Sequence, residues 1–281
     1  MQKTPELAHL LEGRGNLYRF LSRFYLTEVD EAFWTALRGM TFPDTADDPR
    51  MAEGWQRLAK VVASDLGPDP IETLAVDYAR IFLSAGVSEG AAYPIESVYT
   101  SPEHLVMQDA WEAVCRTYRE AGFEKDPKVD VHEDQLGLEL SFLAHLNDRL
   151  LAALAAEGAD PERDAAFLAT LRASKQFLLE HPLRWVADFC RDVRKCPATD
   201  FYPAVSLLTE GFLAMDEDRF LHLTDVGRDV AEKTYEKHCF FTHLLIDAGV
   251  EPKTAEQDAC RMEHAISDNS FQKMKAGLQN K

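Results

Sequence analysis

The segment from Asp134 to Leu150 constrains the fold more than any other part of the chain. Leu136, Leu140, Leu143 and Leu146 recur at helical spacing, and Leu138 and Phe142 widen the stripe. That pattern predicts a helix buried on most of its sides, which needs neighbours all round. The rest of the chain offers helices to surround it. Residues 12–26 interleave Leu17, Tyr18, Phe20, Leu21, Phe24 and Tyr25 with arginines, an amphipathic helix with an aromatic face. Shorter helical patterns cover 29–40, 51–66 and 71–83, the last two separated by Gly67-Pro68-Asp69-Pro70. A further helix begins near Ser101, and a charged loop spans Glu124 to Glu133. Asp160 and Pro161 suit an N-cap and first helical position. The helix they open is broken by His181-Pro182, and two more follow over 185–193 and 201–215. No β-branched alternating run of strand length occurs. The expected fold class is all-α, with helices packed pairwise by ridges and grooves.

Asp134 and Glu139 ride on the same apolar segment. Carboxylates on a buried helix cost free energy unless they are paired or open onto a cleft. A conflict between local polarity and global burial marks a candidate site. The reading taken from it is an open cleft in which acids near Asp134 meet a cationic partner.

Two motifs in this region carry a family resemblance. Tyr93-Pro94-Ile95-Glu96-Ser97-Val98-Tyr99 is followed, some way on, by Asp134-Gln135-Leu136-Gly137-Leu138-Glu139-Leu140. Together they resemble the TorD/DmsD/NarJ family of all-helical, cytoplasmic chaperones for molybdenum-cofactor redox enzymes, over residues 12–222. The resemblance implies a partner: the precursor of a molybdoenzyme, often held through its twin-arginine signal peptide while cofactor is loaded. It implies peptide-binding roles for Tyr93, Glu96, Tyr99, Asp134, Gln135 and Glu139. The tyrosines would line a groove for apolar side chains, and the carboxylates would take arginines through charge-assisted bonds. One departure stands out. The family's second motif usually reads Glu-Pro-x-Asp-His, and here the five positions are Val131, His132, Glu133, Asp134 and Gln135, so that only the Asp is kept.

The formal charge is −18. A surface of that sign disfavours nucleic acid, whose binding needs cationic groups to displace counterions. It favours a basic partner by steering. No apolar run approaches the roughly 18 residues of a membrane span, and the first residues show no charged-then-apolar leader. The five cysteines, Cys115, Cys190, Cys196, Cys239 and Cys260, form no CxxC pair and fit reduced thiols in a cytoplasmic protein. No GxSxG, HExxH or Walker sequence is present, and no nucleophile is placed beside a base by spacing, so a non-enzymatic role is expected.

From Leu223 the character of the chain changes, which divides it into 1–222 and 223–281. Cys260, Glu263 and His264 stand at i, i+3 and i+4, on one face of a helix. Thiolate, carboxylate and imidazole together suit a divalent transition metal, with His238 as a further donor. The run Ala259-Cys260-Arg261-Met262-Glu263-His264-Ala265-Ile266-Ser267, with Leu223 to Arg228 and Lys237-His238, resembles the metal-binding and dimerisation domain of DtxR-type regulators. It implies a metal site and a homodimer, although the winged-helix DNA reader is absent. The alternative reading is therefore a metal-responsive regulatory protein. The expected architecture is a TorD-like helical bundle followed by a small helical DtxR-like dimerisation segment.

Overall fold

The computed structural model describes residues 5–83, 91–156, 161–195 and 199–216, with 237, 240–242, 244–246, 248–251, 254–255, 258–259, 262, 266 and 268–279 in the last part of the chain. Aspartate–proline pairs start two of the helices. Asp48 caps α3 (Pro49–Ala63) by accepting from the Arg50 and Met51 amides, with Pro49 in the first turn. Asp69 accepts from the Glu72 amide ahead of α4 (Pro70–Phe82). Asp30 does the same for α2 (Glu31–Gly39), accepting from Phe33. These side chains satisfy amides that would otherwise lack a partner. The first helix, α1 (Pro5–Leu26), starts earlier than the aromatic stripe alone suggests.

The chain then runs through the short α5 (Glu96–Thr100), α6 (Asp109–Ala121), the central α7 (Leu136–Ala155), α8 (Pro161–Glu180), α9 (Pro182–Val193) and α10 (201–216). A last helix, α11 (Asp268–Gln279), closes it. No strand occurs among the described residues; the one extended pairing is an isolated antiparallel bridge between Ile95 and Gln135. Gly122 ends α6 in the left-handed conformation, φ 68°, where the Phe123 amide reaches back to the Tyr118 carbonyl.

The all-α expectation holds, and the leucine stripe of α7 is buried throughout. One boundary is corrected. The helix expected from Ser101 begins only at Asp109. Between them lies an irregular turn in which His104 and Met107 have positive φ, a conformation that no α-helix can contain.

One large core fills the space between α1 and α10. Tyr18, Phe24 and Tyr25 of α1 meet Phe82, Phe189, Phe201 and Phe212 in edge-on and tilted contacts. Gly54 lets α3 approach α10 closely, since a Cβ there would lie 2.8 Å from the Leu208 amide nitrogen and 2.9 Å from the Ala204 carbonyl oxygen. A second, smaller core gathers Phe241, Ala259 and Phe271, with Phe240, Leu244, Leu245, Met262 and Ile266 around it.

A buried polar network also binds the helices. Arg14 of α1 donates to Asp216 of α10 at 2.7 Å, Asn147 of α7 at 3.0 Å and Ser174 of α8 at 3.2 Å. Tyr18 donates to the other oxygen of Asp216. Among the described residues Cys115 and Cys190 are free thiols, and burial raises the Cys190 thiol far above its ordinary value.

Candidate functional site

The two motif segments meet. The Glu96 amide donates to the Asp134 carbonyl at 2.9 Å, and the Leu136 amide donates to the Pro94 carbonyl at 2.9 Å. These bonds flank the Ile95–Gln135 bridge and join the entry of α5 to the entry of α7. Segments far apart in sequence thus form one joint.

Asp134 is fully buried. Its Oδ2 accepts from the Ser97 amide at 3.0 Å and the Ser97 hydroxyl at 2.5 Å, while Oδ1 has no partner. Burial raises the Asp134 carboxyl above its usual range, and the two Ser97 bonds work against that rise. Gln135 caps α7 by accepting from the Gly137 amide at 2.6 Å and the Leu138 amide at 3.3 Å. Its Nε2 donates to the Tyr25 carbonyl at 2.6 Å, tying the cap to the end of α1. Gly137 fits under α1 because a Cβ there would fall 2.7 Å from Leu26 Cγ and 2.8 Å from Gln135 Oε1. Its carbonyl accepts from the Ser22 hydroxyl.

Glu96, also buried, pairs with His181 Nδ1 at 2.8 Å. Glu139 lies beneath, with neither oxygen in hydrogen-bonding geometry, although Glu96 and the Trp185 indole are within its electrostatic reach. Burial, then the Glu96 charge, raises the Glu139 carboxyl well above its ordinary value. Tyr99 is half-buried, stacked on Trp185 with ring centroids 5.5 Å apart. Tyr93 is at the surface, 38% exposed. The loop before Asp134 is pinned by Glu133, which accepts from the Trp111 indole at 2.7 Å and pairs with Lys125 at 2.9 Å.

The structure therefore brings Glu96, Asp134, Gln135 and Glu139 together, with Tyr99 beside them, but not on an open cleft. The expectation of an acidic rim facing solvent is corrected: these four polar side chains are interior, three of them held by Ser97, His181 and backbone groups and Glu139 buried without a hydrogen-bond partner. Sequence reasoning missed Ser97 and His181. Ser97 sits inside the first motif with no charge to draw notice, and in sequence His181 stands out as the residue before a helix-breaking proline and as a neighbour of Cys190 and Cys196, not as a partner for Glu96. A buried acid in need of a partner was the available signal for both. The cluster is not arranged as a metal centre; among the described residues no group of three or more His, Cys, Asp or Glu side chains is. Cys260, Glu263, His264 and His238 lie outside the described residues.

Two families match different parts of the chain. The family described as iron dependent repressor, metal binding and dimerisation domain matches residues 224–280. Over 124 residues the chain is 26% identical to the transcriptional regulator MntR of Escherichia coli O157:H7, covering 40% of this chain and 80% of that protein. Over 218 residues it is 27% identical to chaperone protein TorD of Vibrio cholerae, covering 75% of this chain and 94% of the relative. TorD of Shewanella loihica is 24% identical over 221 residues, covering 73% and 92%. The family described as nitrate reductase delta subunit matches residues 44–191, more than half of the sequence and the whole of the joint between α5 and α7. The chain belongs to the nitrate reductase delta subunit family.

Proposed function

We propose that this chain is a cytoplasmic, system-specific chaperone. It binds the precursor of a molybdenum-cofactor oxidoreductase, including its basic twin-arginine leader, and holds it while the cofactor is inserted. The observation that carries the reading is the joint between α5 and α7, which lies within the span aligned with the TorD chaperones. A chaperone needs a scaffold whose binding surface is set before the client arrives, because ordering it afterwards would cost affinity. The buried bonds of Asp134, Gln135 and Glu96 do that setting. Tyr93 contacts the client at the surface; Glu96, Tyr99, Asp134, Gln135 and Glu139 shape the site from beneath, since groups this buried do not reach an arginine directly. The charge of −18 steers a basic leader toward the protein.

The test is capture with the tagged, full-length chain from its source cytoplasm, with mass spectrometry of the co-purifying polypeptide. A molybdoenzyme subunit with its leader intact is the expected partner. Recovery of no such subunit overturns the reading.

A second reading concerns the C-terminal segment and rests on the match of residues 224–280. In it, Cys260, Glu263, His264 and His238 hold a divalent transition metal, and the segment joins two copies into a homodimer. The donor set is the fitting one for a borderline ion. A metal content near one per chain and a dimeric mass in solution are expected; metal-free, monomeric protein that takes up no ion on titration overturns it.

A further inference from the structure

Three consecutive apolar side chains stand in solvent just after α5. Leu105 is 56% exposed, Val106 39% and Met107 50%. Scattered apolar residues are ordinary on a surface, but three together on one loop mark a place where something binds. The backbone that carries them is held firmly. His104 Nδ1 sits 2.8 Å from the Val98 carbonyl, Ser101 Oγ accepts from the Leu105 amide at 3.3 Å, and Gln108 Nε2 donates to the Val106 carbonyl at 2.9 Å. His104 and Met107 are kept at φ 53° and 56°, which non-glycine residues adopt only when their surroundings impose it.

The loop is also wired to the buried joint. The Gln108 amide donates to Ser97 Oγ at 3.2 Å, and the same hydroxyl donates to Asp134. One interior carboxylate thus sets, through one hydroxyl, the far end of the loop that displays the apolar triplet. The stretch of sequence that carries the loop is acidic. No Lys or Arg occurs between Arg80 and Arg116, and Glu103, Asp109 and Glu112 are all exposed. An apolar triplet among carboxylates complements a segment that is apolar in one part and cationic in the next.

We propose that Leu105, Val106 and Met107 are the docking surface for the apolar stretch of a basic leader, with Glu103, Asp109 and Glu112 meeting its arginines. This rests on the chaperone reading above and adds the residues that touch the client. Asp134 is then a positioning residue, acting through Ser97 on the loop.

The experiment uses the full chain and a fluorescent synthetic peptide with an Arg-Arg pair ahead of a leucine- and alanine-rich segment. A matched peptide carries Glu-Glu in place of the arginines. The parent binds the first and not the second. The variant L105S/V106S/M107S, altered only at exposed positions, weakens binding by about tenfold or more while keeping the parent's circular dichroism and melting temperature. Glu112→Lys weakens binding and flattens its salt dependence. Asp134→Asn weakens binding in the parent but adds no further loss in the triple variant, whereas mere destabilisation would add to it. Equal affinity of parent and triple variant overturns the docking surface and leaves the chaperone reading standing. A parent that binds neither peptide overturns the docking surface and leader binding together. A triple variant that changes only the oligomeric mass makes the loop an interface between copies, which also overturns the proposal.

Discussion

Glu139 lies in the interior beside Glu96 with its carboxyl raised well above the ordinary value, and that shift has a measurable consequence. Its proton affinity is higher in the folded chain than in the unfolded one, so the folded state holds a proton that the unfolded state releases. The stabilisation this gives is complete below the unfolded value of about 4.5, and it falls as pH rises from there toward the raised folded value. Glu139→Gln removes the titration while keeping the shape. We expect its urea midpoint to equal or exceed the parent's, by a margin that widens from pH 5 to pH 8; a tenfold difference in proton affinity corresponds to about 1.4 kcal/mol. A constant difference across that range would mean that Glu139 is already ionised when folded. Individual residues were partly legible in the sequence. Asp134 and Glu139 stood out as acids on an apolar helix, and their burial made sense only once Ser97 and His181 were in place. Those partners come from other elements, and no local pattern announces a contact across such separations.

At the scale of elements, the Arg14 network decides how α1, α7, α8 and α10 sit together. Its acid and base are both nearly inaccessible. Removing one partner of such a pair leaves an uncompensated charge inside, which costs about 3–5 kcal/mol. Arg14→Met should lower the unfolding free energy by that order, and Asp216→Met added to it should restore much of the loss, because no lone charge remains. Chemical denaturation of the three proteins checks both. The helices themselves were readable, since their apolar spacing and the leucine stripe of α7 are local signals, whereas the capping roles of Asp48 and Asp69 emerge only in the structure. The turn at 101–108 was not. Its two left-handed residues are His104 and Met107, neither of which advertises a turn as glycine or asparagine would.

At the scale of the whole molecule, the described apolar side chains fall into two separate cores. The larger is built from residues no later in the chain than Met215, and the smaller from Phe240 to Phe271. A core complete within the first part is what an independently folding unit needs. A chain ended after residue 222 should therefore keep a cooperative thermal transition and its helical spectrum, checked by circular dichroism, and should run as a monomer if the C-terminal segment joins the copies. Loss of cooperative folding would place essential contacts beyond residue 222. No helix among the described residues is long and apolar enough to cross a membrane. The change of character near Leu223 is a local signal that a sequence can carry, whereas the packing of each part depends on pairings that only three dimensions reveal.

Gln135 stands where the resembled chaperones usually carry histidine, and it both caps α7 and grips the end of α1. An imidazole in that role would change its donor count on acidification and could loosen the start of the central helix. An amide has no proton to gain or lose between pH 5 and pH 8, so this cap keeps the same grip across that whole range.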